Sequence, residues 1–452
     1  MSKRPSLPVR TGRLSRMSLL TSLAAGMASG VVSEGLRRWG RGESWDWQQQ
    51  AFTPGNLNRL SNRLSEMRGA AMKMGQLLSM DAGHLLPPEL AHILAGLRND
   101  AHAMPLSQLE PVLTKAWEPN WAQHFQRFSY QPIASASIGQ VHEATTKQGQ
   151  HLAIKIQYPG VAASIDSDLD NVATLLRWSR LLPKDLDIDA LLAEAKAQLQ
   201  LETDYQYEAT ELQNFTRLLA DDNDFILPEI YQPLCHKNIL AMSFLPGQPV
   251  EQLESAALEQ RQKWVRRLFE LYFRELLEFN RVQTDPNYAN YLIDLDNQRM
   301  GLIDFGAVRA YAPQMTEAYR NLFNAVATQD KSSIFSAAEE LGYFNRDITA
   351  DQKETLLELF EMAAEPLTQP GPYDFANSNL PLRLQEAGFK LSLEQNYWHS
   401  PPIDALLLHR KLAGLFLLDQ RLHVKLDVAE IAAPYLLRTD TLKPSYLTSS
   451  PP

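Results

Sequence analysis

Three short polar motifs follow one another in a fixed order in this 452-residue chain. A strand-like run, Leu-Ala-Ile, ends in Lys155; Asn290 follows Asp285 by five residues; and Asp304 opens an Asp-Phe-Gly motif after an apolar Leu-Ile. Taken singly, each motif is explained by an exposed strand lysine, a loop cap or a turn residue. Their occurrence together in this order is not expected by chance. The chain must therefore adopt a fold that uses an ammonium, an amide and two carboxylates for one purpose.

These residue types match what phosphoryl transfer needs from a protein. The reaction needs a group that holds the nucleotide phosphates, oxygen ligands for Mg²⁺, and a base or orienting carboxylate. Lys155 fits the first role, Asn290 and Asp304 the second, and Asp285 the third. The sequence contains neither a Gly-x₄-Gly-Lys-Ser/Thr loop nor a Gly-x-Ser-x-Gly elbow. P-loop nucleotidases and serine hydrolases are therefore excluded.

Composition excludes several further classes of protein. The net charge is −10, which disfavours a generic nucleic-acid binder, so we expect no nucleic-acid partner. Cys235 is the single cysteine, which excludes a disulfide framework and a cysteine-based zinc site, and we expect it to be a packed or surface residue. No metal-ligand spacing is found among five histidines, which are interpreted as structural or surface residues: His142, His151, His236, His409 and His423.

The order of strand-like and helical patterns predicts the fold class. Residues 125–158 have a strand-like pattern, typical of a small antiparallel sheet, and residues 187–220 have helical spacing. An inserted helical element is expected around residues 164–180. From Leu253 the pattern is mostly helical, interrupted by a loop-rich stretch at residues 284–304. A small sheet followed by helices predicts an α+β, two-lobed, protein-kinase-like fold.

The N-terminal region is expected to add two elements to this fold. Residues 1–50 carry a charge of +5, and the uncharged run Met17–Ser33 leaves open a peripheral basic anchor, a transmembrane helix, a flexible leader or a transit peptide. An apolar seam between Leu57 and Leu78 predicts a helix, on which Lys73 and Gln76 share a face. The expected domains are a leader (1–50), a helical extension (51–120), an N-lobe with inserted helices (121–245) and a helical C-lobe (246–452).

The sequence resembles the UbiB-type atypical kinases, and in particular the branch of accessory kinases of coenzyme Q (ubiquinone) biosynthesis. The resemblance spans roughly residues 50–430 and is carried by short motifs that this family shares. They are Lys73-Met74-Gly75-Gln76 (KxGQ), the alanine-rich loop around Ala134-Ser135-Ala136-Ser137, Glu202-Thr203-Asp204 (ExD), Glu208, and Gln283-Thr284-Asp285 with Asn290.

The resemblance implies cofactors, which are ATP or ADP and Mg²⁺, and a role for each matching residue. Lys155 is expected to hold the α- and β-phosphates and Glu208 to position it, with Asp285 as the third catalytic residue. Asn290 and Asp304 are expected to bind magnesium. The remaining positions form two groups: Ala134, Ser135, Ala136 and Ser137 would cover the nucleotide, and Lys73, Gln76, Glu202 and Asp204 would gate the site.

Helix geometry predicts the directions in which Glu202, Asp204 and Glu208 face. On one continuous helix Asp204 and Glu208 lie four residues apart on one side, whereas Glu202 lies about 120° around the axis from Glu208. We therefore expect one helix to face two sites. Glu208 would turn toward Lys155, and Glu202 or Asp204 toward the extension that carries Lys73. An exposed helix face is the alternative for such carboxylates.

Departures from ordinary protein kinases narrow the expected activity. No His-Arg precedes Asp285, and Ala312-Pro313-Gln314 stands where Ala-Pro-Glu would follow Asp-Phe-Gly, so a peptide-docking platform is not expected. We expect an ATPase or a small-molecule or lipid kinase that supports ubiquinone biosynthesis at a membrane surface. The alternatives are a non-enzymatic, nucleotide-regulated scaffold and a protein kinase acting in trans.

The expected partners and location follow from the same resemblance. The partners would be a nucleotide, a membrane lipid or isoprenoid-quinone precursor, and enzymes of ubiquinone biosynthesis. A bacterial protein would be cytoplasmic and peripheral to the inner membrane, and a eukaryotic one would lie at the mitochondrial inner membrane or matrix side. The polar, proline-bounded C-terminus from Tyr435 predicts no membrane span there.

Overall fold

The computed structural model describes residues 73, 103–136, 138–179, 188–344, 347–391, 395, 397 and 401–436. Two compact units divide the chain: one comprises residues up to Gln248 together with Ala289–Ala307, and the other comprises Pro249–Tyr288 and Val308 onward. Four predictions lie outside the described residues. They concern the basic leader with Met17–Ser33, the helical seam apart from Lys73, the side chains of Gln76 and Ser137, and the polar C-terminus beyond Leu436.

The helices and strands are numbered along the chain. The helices are α1 (Leu106–Trp117), α2 (Val161–Ser179), α3 (Ile188–Glu202), α4 (Tyr205–Leu218), α5 (Leu258–Leu277), α6 (Pro313–Ala327), α7 (Lys331–Glu340), α8 (Ala350–Ala363), α9 (Glu365–Thr368), α10 (Leu380–Phe389), α11 (Ile403–Leu422) and α12 (Val428–Leu436). The strands are β1 (Phe125–Phe128), β2 (Ala134–Ser135), β3 (Gly139–Thr146), β4 (His151–Gln157), β5 (Phe225–Ile226), β6 (Ile239–Ser243), β7 (Gln248–Pro249), β8 (Arg281–Gln283), β9 (Tyr291–Asp294), β10 (Arg299–Leu302), β11 (Val308–Ala310), β12 (Tyr373–Asp374) and β13 (Lys425–Leu426). Short 3₁₀ turns cover Trp121–His124, Gln232–Leu234, Val250–Ser255 and Tyr288–Asn290.

The small antiparallel sheet predicted from the sequence is confirmed in the first unit. Its strands lie in the order β1-β3-β4-β6, and β2 pairs with β3. Alternation along β4 explains how it presents two faces: Leu152, Ile154 and Ile156 are buried in a core that includes Trp117 and Trp121, so Lys155 projects from the opposite face. The sheet therefore supplies a rigid base from which one lysine points away from the apolar core.

The predicted helices of the first unit are present, but one expectation was wrong. Helix α2 occupies the expected insertion, and α3 and α4 occupy the region with helical spacing. The predicted continuous helix through Glu202 and Glu208 is broken at Thr203-Asp204, because the Asp204 carboxylate accepts hydrogen bonds from the backbone N–H groups of Gln206 and Tyr207 and caps a new helix. Two helices, not one, carry the acidic residues.

The stretch expected to be loop-rich at residues 284–304 contains a β-hairpin. Strands β9 and β10 pair antiparallel, with Tyr291 opposite Leu302 and Asp294 opposite Arg299. The turn is closed by Asp294, whose carboxylate accepts from the backbone and side-chain N–H groups of Asn297. The strands are only four residues long, and β10 also pairs in parallel with β5. This tertiary pairing stabilises strands whose own sequence carries a weak pattern.

The second unit is mainly helical, as predicted, and three of its helices, α6, α11 and α12, pack against α5. Large buried side chains of α5, among them Trp264, Tyr272 and Phe273, form the centre of this unit. Strands β8 and β11 pair antiparallel beside it, so that Gln283 lies opposite Val308. Within the described residues, no helix is both long enough and apolar enough to cross a membrane. Cys235, in the first unit, is half-buried with its thiol near the carbonyls of Tyr231 and Ala241.

Candidate active site

The predicted pair of Lys155 and Glu208 meets in the interior of the first unit. The Lys155 Nζ donates to Glu208 Oε1 at 2.8 Å and Oε2 at 3.0 Å. Lys155 is 7% exposed and Glu208 only 2%. Helix α4 begins at Tyr205, so Glu208 lies in its first turn, where it turns toward β4. A carboxylate with both oxygens on one ammonium fixes the direction of a side chain that otherwise has four rotatable bonds.

Asp304 is a second carboxylate on the same ammonium. Its Oδ2 accepts from Lys155 Nζ at 3.0 Å, and its Oδ1 accepts from the Gly306 backbone N–H at 3.0 Å. The β9–β10 hairpin explains why Asn290 and Asp304 are neighbours: Asn290 directly precedes β9, Asp304 follows β10, and the Ile303 N–H donates to the Asn290 carbonyl at 3.1 Å. The backbone of Asn290 thus lies beside the residue that precedes Asp304, the carboxylate that contacts the lysine.

The three charged groups shift one another's ionisation. Burial raises the pKa of Glu208 to about 7, an effect that Lys155 opposes and Asp304 reinforces. Burial also opposes ionisation of Asp304, but the Lys155 ammonium and the Gly306 N–H lower the pKa of Asp304 below its usual value. For Lys155, burial is outweighed by Asp304 and Glu208, and its pKa lies well above the usual value. The Lys155 ammonium therefore stays protonated between two carboxyl groups, and Glu208 is the weaker acid of the two.

Aromatic side chains support this charged cluster. Phe305 is 2% exposed and packs on Phe215 of α4, with ring centroids 5.0 Å apart. The Phe305 backbone also donates to Glu208, so the Asp-Phe-Gly segment is attached to the same helix that holds Lys155. A Cβ placed at Gly306 would lie 3.4 Å from Asp304 Oδ1 and 3.5 Å from Glu208 Oε2. A larger residue there would crowd both carboxylates.

Sequence reasoning missed Tyr205 as a member of the site. Its ring lies beneath the ammonium of Lys155, 5.5 Å from ring centroid to Nζ, and the residue is 2% exposed. This places a cation–π contact beside the two carboxylates that hold Lys155. The sequence pattern assigns Tyr205 only to the apolar spacing of a helix. Its position directly after the acidic ExD motif was the available signal.

The alanine-rich loop lies at the start of the same sheet. Ala134 and Ser135 form β2, opposite Val141 and Gln140, and the Ala136 N–H donates to the Gly139 carbonyl at 2.9 Å. Gly139 is required where the loop enters β3, because a Cβ there would lie 2.4 Å from the Ile156 carbonyl oxygen. Ser137 lies outside the described residues. Since Val141 of β3 is also the partner of Lys155 in β4, one strand links the loop to the lysine.

Among the residues expected to gate the site, Lys73 and Glu202 form an ion pair, whereas Asp204 caps a helix. Lys73 is helical and 3% exposed, and its Nζ contacts Glu202 Oε1 at 2.7 Å. Lys73 also contributes to lowering the pKa of Asp304, after larger effects from Lys155 and Gly306. Asp204 instead caps α4. Of the two carboxylates considered for contact with the extension, Glu202 is the one that makes it.

Asp285 belongs to the second unit, where it follows β8. Gln283 and Thr284, which precede it, are 6% and 5% exposed. The backbone N–H of Gln283 donates to Glu275 Oε2 at 3.3 Å, and the same oxygen accepts from Lys411 Nζ at 2.5 Å. A buried ion pair therefore anchors the strand that leads into the predicted catalytic loop.

The oxygen donors near Lys155 fit a hard divalent cation. Mg²⁺ is held in nucleotide sites by one or two protein oxygens together with phosphate oxygens and water. The Asp304 carboxylate, which contacts the Lys155 ammonium, and the Asn290 amide are ligands of that kind. Among the described residues, no group of three or more His, Cys, Asp and Glu side chains is arranged to hold a metal by itself. The site thus suits a metal that arrives with a nucleotide.

Comparison with known proteins identifies the family. The model of the ABC1 atypical kinase-like domain matches residues 96–338. The Saccharomyces cerevisiae protein named "Atypical kinase COQ8, mitochondrial" is 35% identical over 428 residues, covering 94% of this chain and 85% of the relative. The Rattus norvegicus "Atypical kinase COQ8B, mitochondrial" is 34% identical, covering 94% of this chain and 80% of the relative.

A solved structure agrees at the level of fold. The Mycobacterium tuberculosis protein Rv3197, determined in complex with erythromycin, matches with a TM-score of 0.55 and 24% identity, over 83% of this chain and 94% of that one. The predicted α+β, protein-kinase-like fold is confirmed, and so is the resemblance inferred from the KxGQ, ExD and Asp-Phe-Gly motifs. This chain belongs to the ABC1 atypical kinase-like family.

Proposed function

We propose that this protein is a Mg²⁺-dependent ATPase or a small-molecule or lipid kinase that supports ubiquinone biosynthesis at a membrane surface. The observation that carries the proposal is the position of the Lys155 ammonium, which is buried and contacts both the Glu208 and the Asp304 carboxylates. A lysine held in this way is prepared for phosphate oxygens, since its direction is set before a nucleotide arrives.

The proposed roles combine this geometry with the roles that the family resemblance implies. Lys155 holds the α- and β-phosphates, and Glu208 keeps it in place. Asn290 and Asp304 bind the magnesium ion, which neutralises phosphate charge when it is present. The alanine-rich loop, Ala134–Ser137, covers the nucleotide, and Asp285 orients the attacking group or accepts its proton.

The biological context of the proposal comes from the relatives. Several are named as mitochondrial COQ8 atypical kinases, which supports a role in ubiquinone biosynthesis for this chain. The charge of +5 on residues 1–50 supports attraction to an anionic membrane. A nucleotide-regulated scaffold is the main competing proposal. It shares the ATP site but requires no phosphate release.

The ion pair between Lys73 and Glu202 leads to a prediction about gating. We expect Lys73→Ala to raise the rate of phosphate release about threefold or more without unfolding the protein, because the variant removes the contact that attaches the extension to α3. Glu202→Ala removes the same contact and is expected to give the same change. Lys115→Ala, at an exposed lysine of α1, serves as the control. Unchanged kinetics in both variants would exclude a gating role.

The proposed activity is tested by measuring phosphate release from Mg-ATP by the full chain, with and without vesicles of anionic phospholipid. We expect turnover that the vesicles increase and that Asp304→Asn lowers about 10²-fold or more, because the amide cannot provide the metal with a carboxylate charge. Binding of Mg-ATP is measured in parallel by calorimetry. Tight binding without phosphate release or transfer would contradict the enzymatic proposal and favour the scaffold.

A further inference from the structure

A buried chain of hydrogen bonds begins at the backbone of Met104 and ends at the backbone of Ser129. The Met104 N–H donates to Gln140 Oε1 at 2.8 Å, Gln140 Nε2 lies 2.7 Å from His142 Nε2, and His142 Nδ1 lies 2.7 Å from the Ser129 carbonyl oxygen. Gln140 and His142 are both fully buried. They are two residues apart on β3, directly after the alanine-rich loop, and therefore lie on the same face of the strand.

The two ends of this chain determine the direction of every hydrogen bond in it. A backbone N–H can only donate, so Gln140 turns its oxygen toward Met104 and its amide nitrogen toward His142. A carbonyl oxygen can only accept, so the proton on His142 is on Nδ1. Nε2 must then be the acceptor for the Gln140 N–H. Both ends require the same state: a neutral His142 with its proton on Nδ1.

The surroundings of His142 favour this neutral state. Its ring stacks on Phe128 of β1, with centroids 5.3 Å apart, and Ile154 is its partner in β4. Burial lowers the pKa of His142, partly offset by the Ser129 carbonyl. The nearest acidic side chain along the strand, Glu143, projects from the other face of β3, where it contacts His151 of β4. Both ring nitrogens are already engaged, one by an amide and one by a carbonyl, so neither faces a carboxylate that would hold a second proton.

The segment that leads into the alanine-rich loop is held at both ends, at its start by the buried chain of hydrogen bonds and at its end by β3. Ser129 is held by His142 through its carbonyl and by the Glu143 carbonyl through its N–H, at 2.8 Å. Further along, the Ile133 N–H donates to Val141 and the Ala136 N–H to Gly139. The segment 129–136 is therefore supported at its start by the buried chain and at its end by β3. Displacement of His142 would remove one of the two hydrogen bonds that hold the backbone of Ser129, and displacement of Gln140 would leave His142 Nε2 without its donor.

We propose that Gln140 and His142 are positioning residues for nucleotide binding. Because each of their hydrogen bonds has a fixed donor and a fixed acceptor, the two side chains hold the alanine-rich loop in shape and connect it to the backbone at Met104. The inference rests on the proposed function of that loop as the nucleotide cover. Neither side chain needs to touch the nucleotide, because each acts through the backbone that it holds.

Gln140→Glu tests the polarity by replacing one amide nitrogen with an oxygen. With one extra proton shared between the introduced carboxyl group and His142, that group accepts from Met104 and still makes a hydrogen bond to Nε2, so the chain is intact. Once that proton is lost at higher pH, a carboxylate oxygen and a ring nitrogen face each other without a hydrogen between them. We expect the affinity for Mg-ATP, relative to the parent protein, to be within about threefold at pH 6 and about tenfold weaker at pH 9.

Two further variants complete the test. Gln140→Met removes both hydrogen bonds and is expected to weaken binding at both pH values, whereas Gln148→Glu adds the same charge at an exposed position of the β3–β4 turn and is expected to leave binding unchanged. In ¹⁵N spectra of the nucleotide-free parent protein, His142 should show one protonated nitrogen, Nδ1, and one bare nitrogen, Nε2, between pH 6 and pH 9. A protonated Nε2, or equal affinity of Gln140→Glu at both pH values, would overturn the inference. Absence of Mg-ATP binding in the parent protein would instead contradict the proposed function, which the spectra do not depend on.

Discussion

Lys155→Met is expected to lower phosphate release from Mg-ATP by about 10²–10³-fold. Methionine fills a similar volume but places no positive charge or hydrogen-bond donor where the phosphates would bind. The matched control is Lys237→Met, which removes the same charge from an exposed position of the first unit and should leave turnover unchanged. Turnover above one tenth of the parental rate in Lys155→Met would contradict the role proposed for the buried ammonium.

The same variant should acquire a stability that depends on pH. Burial raises the pKa of Glu208 to about 7 even with Lys155 present, and removal of the ammonium raises it further. An acid with a raised pKa in the folded protein keeps a proton that the unfolded chain has released, so stability falls as pH rises toward the folded-state pKa. Above pH 7 the parent protein no longer has this slope from Glu208. Lys155→Met should lose about 1.4 kcal/mol per pH unit there.

Urea unfolding between pH 6 and pH 8.5 measures this slope. The double variant Lys155→Met/Glu208→Gln carries no titrating group at the site of Glu208, so its slope relative to the parent should fall to the part contributed by Asp304, which also loses the ammonium, while its turnover stays low. Low turnover together with the reduced slope would separate the two roles of Lys155, which are to bind phosphate and to lower the pKa of Glu208. A double variant that regained activity would show that the single substitution had acted only by disturbing the fold.

The sequence was sufficient to locate the central residues of the site because their patterns are local. Alternation of Leu152, Ile154 and Ile156 identifies β4 and leaves Lys155 on the opposite face. The Asp-Phe-Gly motif is recognisable by itself. Glu208 is different: it lies 53 residues from Lys155, and only the family resemblance connected the two before the structure placed their side chains 2.8 Å apart.

The features that the sequence did not predict depend on contacts between distant residues or on a competing local hydrogen bond. Asp204 has the spacing of a helical residue, yet its carboxylate binds two N–H groups of the following turn and begins a new helix. Strands β9 and β10 are short and depend on pairing with each other and with β5. Two further features depend on which strands and helices lie side by side: the position of Tyr205 beneath Lys155, and the donor and acceptor roles of the two His142 nitrogens. Residue types alone do not predict them.

The buried ion pair of the second unit should have the largest effect on stability. Lys411 and Glu275 are 3% and 1% exposed, and Glu275 also accepts from the Gln283 backbone two residues before Asp285. Lys411→Met leaves a buried carboxylate without its cation. We expect the free energy of unfolding to fall by about 3–5 kcal/mol, because a charge stranded in a low-dielectric interior is far costlier than the pair was favourable.

Replacing both partners should recover much of that loss. In Lys411→Met/Glu275→Gln the remaining amide is neutral and its oxygen can still accept from Gln283, so we expect the double variant to be more stable than Lys411→Met by about 2 kcal/mol. Lys331→Met, which breaks the exposed pair between Lys331 and Glu361, should change stability by less than about 1 kcal/mol. Urea unfolding at pH 7 compares the three variants. Equal losses in the single and double variants would mean that Lys411 stabilises the unit by packing, and the strand before Asp285 would then not depend on the charge of Glu275.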